Sequence, residues 1–260
     1  MTAMTSEALR TLASTPRLLV ALDFDGTVAD FVDDPYSARV IPEAAEPIAR
    51  LRDLNNTWVA FVSGRPLNSL ARVTEADEHA LLVGSHGAEA RLGGGVVDLG
   101  LDDDERHRLF ELAVSLAEVV DRTPGAVLEH KPFGYGVHTR NVAADAVPRM
   151  LADARHAAER IGGFLDRDGK DILEFAVRDT TKGDGVELLR QHLGATGVLF
   201  VGDDVTDEDG FAAMHAGDIG LKVGAGATAA LYRVADPRGV AEVLRKLVEK
   251  RAALAVGQGA

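Results

Sequence analysis

Short apolar runs and longer mixed runs take turns along this chain. Leu18-Leu19-Val20-Ala21-Leu22 is apolar at every position. A strand written that way keeps no face for water, so it predicts a strand buried on both sides of a parallel sheet. Trp58 to Val62, Leu81 to Val83, Val198 to Val201 and Ile219 to Val223 are brief apolar runs of the same kind. Longer stretches repeat with the helical period instead. Pro42 to Leu54 places Ile48, Leu51 and Leu54 on one face, with Pro42 in the first turn, and Val240 to Leu254 closes the chain as a last helix. Strands and helices in alternation predict the α/β class, a doubly wound parallel sheet wrapped by helices.

The rhythm changes between Val83 and Lys182. Asp104 to Val120 and Val142 to Ile161 read as long amphipathic helices. Two strand-like runs follow each: Val127 to His130 with Gly136 to Thr139, then Gly163 to Asp166 with Ile172 to Val177. Helix, two strands, helix, two strands is a self-contained α+β unit set into an α/β host. Residues 102–177 are therefore expected to form an inserted domain, with residues 1–101 and 178–260 as the core.

Composition narrows the partners. The 260 residues carry 28 Lys and Arg against 41 Asp and Glu, a net charge of −13. A nucleic-acid backbone or an anionic membrane calls for a basic surface, so neither is expected as a partner. One phosphorylated small molecule remains compatible, because a few local cations suffice to hold it. The absence of cysteine removes disulfides, thiolate metal sites and thiol nucleophiles together. Met1 to Arg17 has no apolar core of a leader, and Leu18 to Leu22 is too short to span a bilayer. A cytoplasmic monomer is the expectation.

The candidate chemistry sits at the ends of the apolar runs. Asp23-Phe24-Asp25-Gly26-Thr27 follows the first strand, and two carboxylates two residues apart point to the same side. In doubly wound sheets that end of a strand borders the ligand crevice. Gly202-Asp203-Asp204-Val205-Thr206-Asp207-Glu208 follows a later strand. Side by side, the two segments crowd at least four carboxylates into one place. Their repulsion calls for a cation, and an all-oxygen donor set favours Mg²⁺. Ser63-Gly64-Arg65, between a strand and a helix, can hold an anion with hydroxyl and backbone N–H groups, or Ser63 can serve as a helix N-cap. Lys182 opens a helix before the Val198 strand, and its value depends on the groups it meets.

These segments, in this order, resemble the four motifs of the haloacid dehalogenase superfamily of phosphatases. The likeness covers nearly the whole chain, including an insert where that superfamily carries a type C2 cap. Gly-Asp-Asp-x-Thr-Asp-Glu, Ser85-His86-Gly87-Ala88-Glu89, Glu129-His130-Lys131 and His138-Thr139-Arg140 most resemble trehalose-6-phosphate phosphatases. The usual family form has Asn where His86 stands. The resemblance implies that Asp23 is the nucleophile and forms an aspartyl-phosphate. It implies that Asp25 protonates the leaving sugar oxygen and then deprotonates the attacking water. Mg²⁺ would take an Asp23 oxygen, the Asp25 main-chain carbonyl and Asp203, with Asp204 and Asp207 behind them. Thr27, Ser63, Gly64 and Lys182 would hold the phosphate. Gly87 and the cap residues Glu129, Lys131, Arg140, Lys170 and Glu174 would meet a phosphorylated disaccharide. In such a family, core and cap close to exclude water and open to release product.

Other readings are bland or compete. Gly224-x-Gly226-x-x-Ala229 imitates a dinucleotide fingerprint, yet it falls at the last strand and lacks the acidic residue about 20 positions on, so a turn into a short helix is expected. Asp102 to Glu105 reads as a solvated helix start and Trp58 as core, and nothing in the spacing of His130 and His138 suggests a metal pair. A sugar-phosphate phosphatase for a sucrose- or mannosyl-type substrate shares the chemistry. A phosphoaspartyl signalling domain shares the clustered acids and the lysine but lacks the second Asp at plus two. A noncatalytic domain would not need all four motifs intact.

Overall fold

In the computed structural model, which describes residues 4–97, 100–169 and 171–257, the chain divides into two compact units. One is Met1–Asp98 with Thr180–Ala260, the other Leu99–Asp179. The first part of the large unit runs α1 (Ser6–Ala13), β1 (Leu18–Leu22), α2 (Pro42–Arg52), β2 (Thr57–Val62), α3 (Leu67–Val73), β3 (Leu81–Gly84), β4 (Glu89–Leu92) and β5 (Val96–Val97). The small unit holds α4 (Asp103–Asp121), β6 (Val127–Lys131), β7 (Gly134–His138), α5 (Val147–Ile161), β8 (Leu165–Gly169) and β9 (Ile172–Ala176). The large unit resumes with α6 (Lys182–Leu193), β10 (Gly197–Gly202), α7 (Asp207–Ala212), β11 (Ile219–Val223), β12 (Tyr232–Val234) and α8 (Pro237–Gly257).

The large unit is built on an eight-stranded sheet of order β12-β11-β10-β1-β2-β3-β4-β5. It is parallel from β12 through β3, and β4 and β5 add an antiparallel edge. All five residues of β1 are fully buried, as its unbroken apolar run requires. On one face Val20, Leu22, Val59 and Phe61 meet Leu12 of α1, Ile48 and Leu51 of α2 and Leu244 and Leu247 of α8. Each such side chain contributes on the order of 2 kcal/mol by leaving water. The chain runs outward from β1 through β2 and β3, then returns to β10 on the other side of β1. The strand order therefore reverses between β1 and β10, and the crevice at their carboxyl ends is where such sheets bind ligands.

In the small unit a four-stranded antiparallel sheet of order β6-β7-β9-β8 packs one face against two helices. Val137, Leu173 and Phe175 meet Leu112, Leu116 and Val119 of α4 and Met150, Ala154 and Ala158 of α5. The other face carries the alternate residues, Glu129, Lys131 and Glu174 among them.

Several boundaries differ from those the pattern predicts. The second long helix begins at Val147 instead of Val142, because Pro148 favours a first turn and residues 139–146 are used in turns such as Val142 N–H to Thr139 O at 2.9 Å. Gly224 to Ala229 forms no helix and leads into β12; Gly224 and Gly226 both have positive φ, which stops helical propagation. The helix start at Asp102 is not merely solvated. Glu105 is buried, and its carboxylate receives two hydrogen bonds from Arg178, at 2.7 and 2.6 Å. Among the described residues no helix is long and apolar enough to cross a membrane.

Candidate active site

The sheet's hydrogen bonding continues one residue past β1: Asp23 N–H donates to Val201 O at 2.9 Å. This fixes the Asp23 main chain at the mouth of the β1–β10 crevice. The chain then turns back on Phe24 O, which accepts from Thr27, Val28 and Ala29 at 3.3, 3.0 and 3.0 Å. Gly26, at φ +73°, is demanded by that turn and by its neighbour, since a Cβ there would lie 2.2 Å from Asp203 Oδ2. The turn brings the Thr27 hydroxyl to Asp23 Oδ2 at 3.0 Å.

Lys182 reaches the same point from α6. Thr181 caps that helix in a reciprocal box with Asp184, so Lys182 is its first helical residue. Gly87 allows a close approach: a Cβ on it would fall 2.4 Å from Thr181 O, so the 85–87 turn abuts the start of α6. Lys182 is almost fully buried and donates to Asp23 Oδ1 at 2.8 Å and to Asp207 Oδ1 at 2.7 Å. Asp207 sits over Gly202, where a Cβ would fall 2.1 Å from its carboxyl carbon, and its Oδ2 accepts from Asp204 N–H at 2.9 Å. The Asp204 carboxylate turns instead to Val205 N–H at 2.7 Å.

Asp23, Asp203 and Asp207 can each place one carboxylate oxygen within 4.8 Å of the others. Burial pushes the Asp23 carboxyl up to about 7, with the Asp207 charge adding to the rise and the Lys182 ammonium opposing it. Asp203 is raised too, first by burial and then by Asp207 and Asp204. Burial alone would lower Lys182, but the Asp23 and Asp207 charges outweigh it and the net shift is upward. The acids thus repel one another even with a lysine among them. A compact, all-oxygen, over-negative donor set fits a hard divalent cation.

Ser63 follows β2, and its Oγ accepts from Arg65 N–H at 3.2 Å. It does not cap the next helix, which begins at Leu67 after Pro66. Gly64 faces the imidazole of His86, where a Cβ would meet the ring carbon at 2.5 Å. Ser85 and His86 have left-handed backbone, at φ 47° and 55°, and their N–H groups donate to Arg65 O and Ser63 O at 2.8 and 3.1 Å. Arg65 grips Asp25 with both arms, Nε to Oδ2 at 2.6 Å and Nη2 to Oδ1 at 2.7 Å, and lies over the Phe24 ring.

In the small unit the structure gathers part of the predicted sugar-facing set. Lys131 pairs with Glu174 and stands 4.0 Å from Glu129. His138 Nε2 and Glu129 Oε2 are 2.9 Å apart. Arg140 stands apart from this group, with Asp171 at 3.7 Å. Lys170 lies outside the described residues. Three partners escape the sequence reading: Arg65 for Asp25, His138 for Glu129, and Lys222. The last had a signal, since a lysine inside the apolar run Ile-Gly-Leu-Lys-Val is rarely buried unless it is paired.

A family model described as trehalose-phosphatase matches residues 21–238. A trehalose-phosphate phosphatase of Mycobacterium avium is 34% identical over 248 residues, covering 89% of this chain and 62% of that protein. One of Mycobacterium leprae is 32% identical over 268 residues, covering 94% of this chain and again 62% of the relative. The chain thus spans just under two thirds of the length of these curated relatives. Among solved structures, a trehalose-6-phosphate phosphatase of Aspergillus fumigatus has a TM-score of 0.73 at 23% identity, covering 95% of this chain and 98% of that one. That last likeness is one of fold.

Proposed function

The chain belongs to the trehalose-phosphatase family, and on that premise we propose that it hydrolyses trehalose 6-phosphate to trehalose and inorganic phosphate. The observation that carries the reading is the buried Asp23 carboxylate, held between Lys182 and Thr27 at the switch point of the sheet. A buried carboxylate with an ammonium hydrogen-bonded to it is a competent nucleophile towards a phosphoryl group whose charge is neutralised.

In the proposed reaction an Asp23 oxygen forms a bond to phosphorus while the bond from phosphorus to the sugar oxygen breaks. Asp25 gives a proton to that sugar oxygen. It then takes a proton from a water, whose oxygen attacks phosphorus and releases the Asp23 carboxylate with inorganic phosphate. Ser63, the Gly64 N–H and Lys182 hold phosphate oxygens and stabilise the charge that spreads over them. Asp23, Asp203 and the Asp25 main-chain carbonyl are the proposed Mg²⁺ ligands, and Asp207 orients Lys182. Bound there, Mg²⁺ supplies charge neutralisation of the phosphoryl group. On the small unit, Glu129, Lys131 and Glu174 offer acceptors and donors on one sheet face, the mixture a disaccharide's hydroxyls require, with Arg140 and Lys170 as further contacts.

Phosphate release from trehalose 6-phosphate, sucrose 6-phosphate and glucose 6-phosphate, with Mg²⁺ and with EDTA, tests the proposal. The expected result is a preference for trehalose 6-phosphate in kcat/KM and no turnover in EDTA. Asp23→Asn keeps the shape and removes the nucleophile, so turnover should fall by at least about 10³-fold with an unchanged circular dichroism spectrum. A preference for the monosaccharide phosphate rejects the substrate; substantial turnover by Asp23→Asn rejects the nucleophile.

A further inference from the structure

Lys222 is the second buried ammonium of the large unit's acidic end, and the four motifs do not include it. It lies on β11 opposite Gly202, the last residue of β10, and is only 4% exposed. Its strand neighbours Leu221 and Val223 face the apolar core, so alternation turns Lys222 to the other side of the sheet. There Nζ donates to the main-chain oxygens of two successive residues, Asp203 at 2.7 Å and Asp204 at 3.0 Å. The Glu208 carboxylate, whose other oxygen accepts from Ala229 N–H at 2.8 Å, stands 3.4 Å away. The ammonium therefore ties the carbonyls of the loop that leaves β10 to the first turn of α7.

That loop carries Asp203, and its course decides where the Asp203 carboxylate points. A buried lysine is costly to desolvate, and here it meets two carbonyls and one carboxylate. We propose that Lys222 is a positioning residue of the divalent-cation site. By fixing the Asp203 and Asp204 carbonyls, it aims the Asp203 carboxylate at the cation and sets how tightly the cation binds. The proposal rests on the reading of Asp23 and Asp203 as metal ligands. Outer residues that orient ligands change metal affinity by about 10–100-fold when removed.

Charge and position predict opposite signs here. Lys222 is a cation near a cation site, so its field alone weakens Mg²⁺ binding, and its removal would tighten it. If Lys222 acts through the loop, its removal loosens binding.

The experiment is isothermal titration calorimetry of the full chain with Mg²⁺ alone, for wild type, Asp203→Asn and Lys222→Met, with circular dichroism as the control of fold. The expected result is a Kd raised about tenfold or more in Lys222→Met, with kcat recovering towards wild type as Mg²⁺ approaches saturation. A Kd unchanged or lowered, with Asp203→Asn weakened, overturns the positioning role and leaves the metal reading standing. A wild type that binds no Mg²⁺, or an Asp203→Asn that binds as wild type does, overturns the metal reading itself. Should Lys222→Met fail to fold, Lys222→Leu, likewise without a donor, is titrated in its place and read by the same two outcomes.

Discussion

Asp25 is bound through both carboxylate oxygens to one guanidinium, and the direction of that carboxylate is therefore set by Arg65. A planar fork orients a carboxylate; a point charge merely attracts one. Arg65→Lys keeps the charge but loses the fork and the stacking on Phe24. If Asp25 moves the proton, kcat should fall on the order of tenfold while KM changes less, because the proposed phosphate contacts are other residues, Ser63 and Lys182. Steady-state kinetics on the best substrate of the panel checks this, and a rise in KM at constant kcat would make Arg65 a binding residue instead. The same contrast shows what the sequence discloses at this scale. Asp23 and Asp203 were legible as candidates because each directly follows a buried strand, whereas Lys182 gains its weight only from the groups it meets, Asp23 and Asp207. The Arg65–Asp25 fork was not, since 40 residues separate the partners and only the pairing of β1 with β2 brings them together.

Elements show a similar division between what is local and what is not. The five residues of β1 and of β11 could be read to the residue, because a strand with neighbours on both sides is apolar at nearly every position, Lys222 of β11 being the exception. The edge strands β5 and β12 were missed, as was β4 beside β5: Glu89–Leu92 is half-exposed, and the two edge strands have two and three residues, too few for any period to show. Helix α4 was legible as a helix, but its acidic start was misread because Arg178, its partner, lies at the far end of the small unit. Asp102 accepts from Glu105 N–H at 2.8 Å, Glu105 accepts from Asp102 N–H at 2.8 Å, and Arg178 closes on the same carboxylate. Arg178 also donates to Gly100 O at 2.8 Å, so one side chain ties the last residues of the unit to its first. Its hydrogen bonds hold the Glu105 carboxyl at about 2, well below the 4.5 of an unperturbed Glu. A group with a depressed folded pKa adds stability above its unfolded value and loses it as pH falls towards the folded one. Glu105→Gln should therefore lower the small unit's stability by about 1–2 kcal/mol at pH 7. The gap from wild type should close as pH falls from 4.5 towards 2. Urea denaturation at pH 7 and pH 3 tests both parts; a gap that does not narrow would make the interaction one of shape, not of charge.

For the whole molecule, the pattern disclosed that a second unit interrupts the first, because the change from strand–helix alternation to helix-and-two-strands is a change of period. What it did not disclose is that each unit buries a cluster of its own, which decides which unit a bound ligand would stabilise. Asp23, Asp203, Asp207, Lys182 and Lys222 all belong to the large unit. A cation that binds the folded state and not the unfolded one stabilises only the unit that forms its site, by about 2.7 kcal/mol at a hundred times Kd. For a unit of this size that corresponds to about 5–10 °C in Tm. Scanning calorimetry should then resolve two transitions, one raised by that amount when Mg²⁺ is added and one unmoved. Glu105→Gln should lower the second and spare the first. The two perturbations cross-check each other, since one is proposed to act through Asp23 and Asp203 and the other acts through α4, and among the described residues the two clusters share no member. If Mg²⁺ raised both transitions equally, or moved the one that Glu105→Gln lowers, the cation would not be held by the acids at the end of β1 and β10.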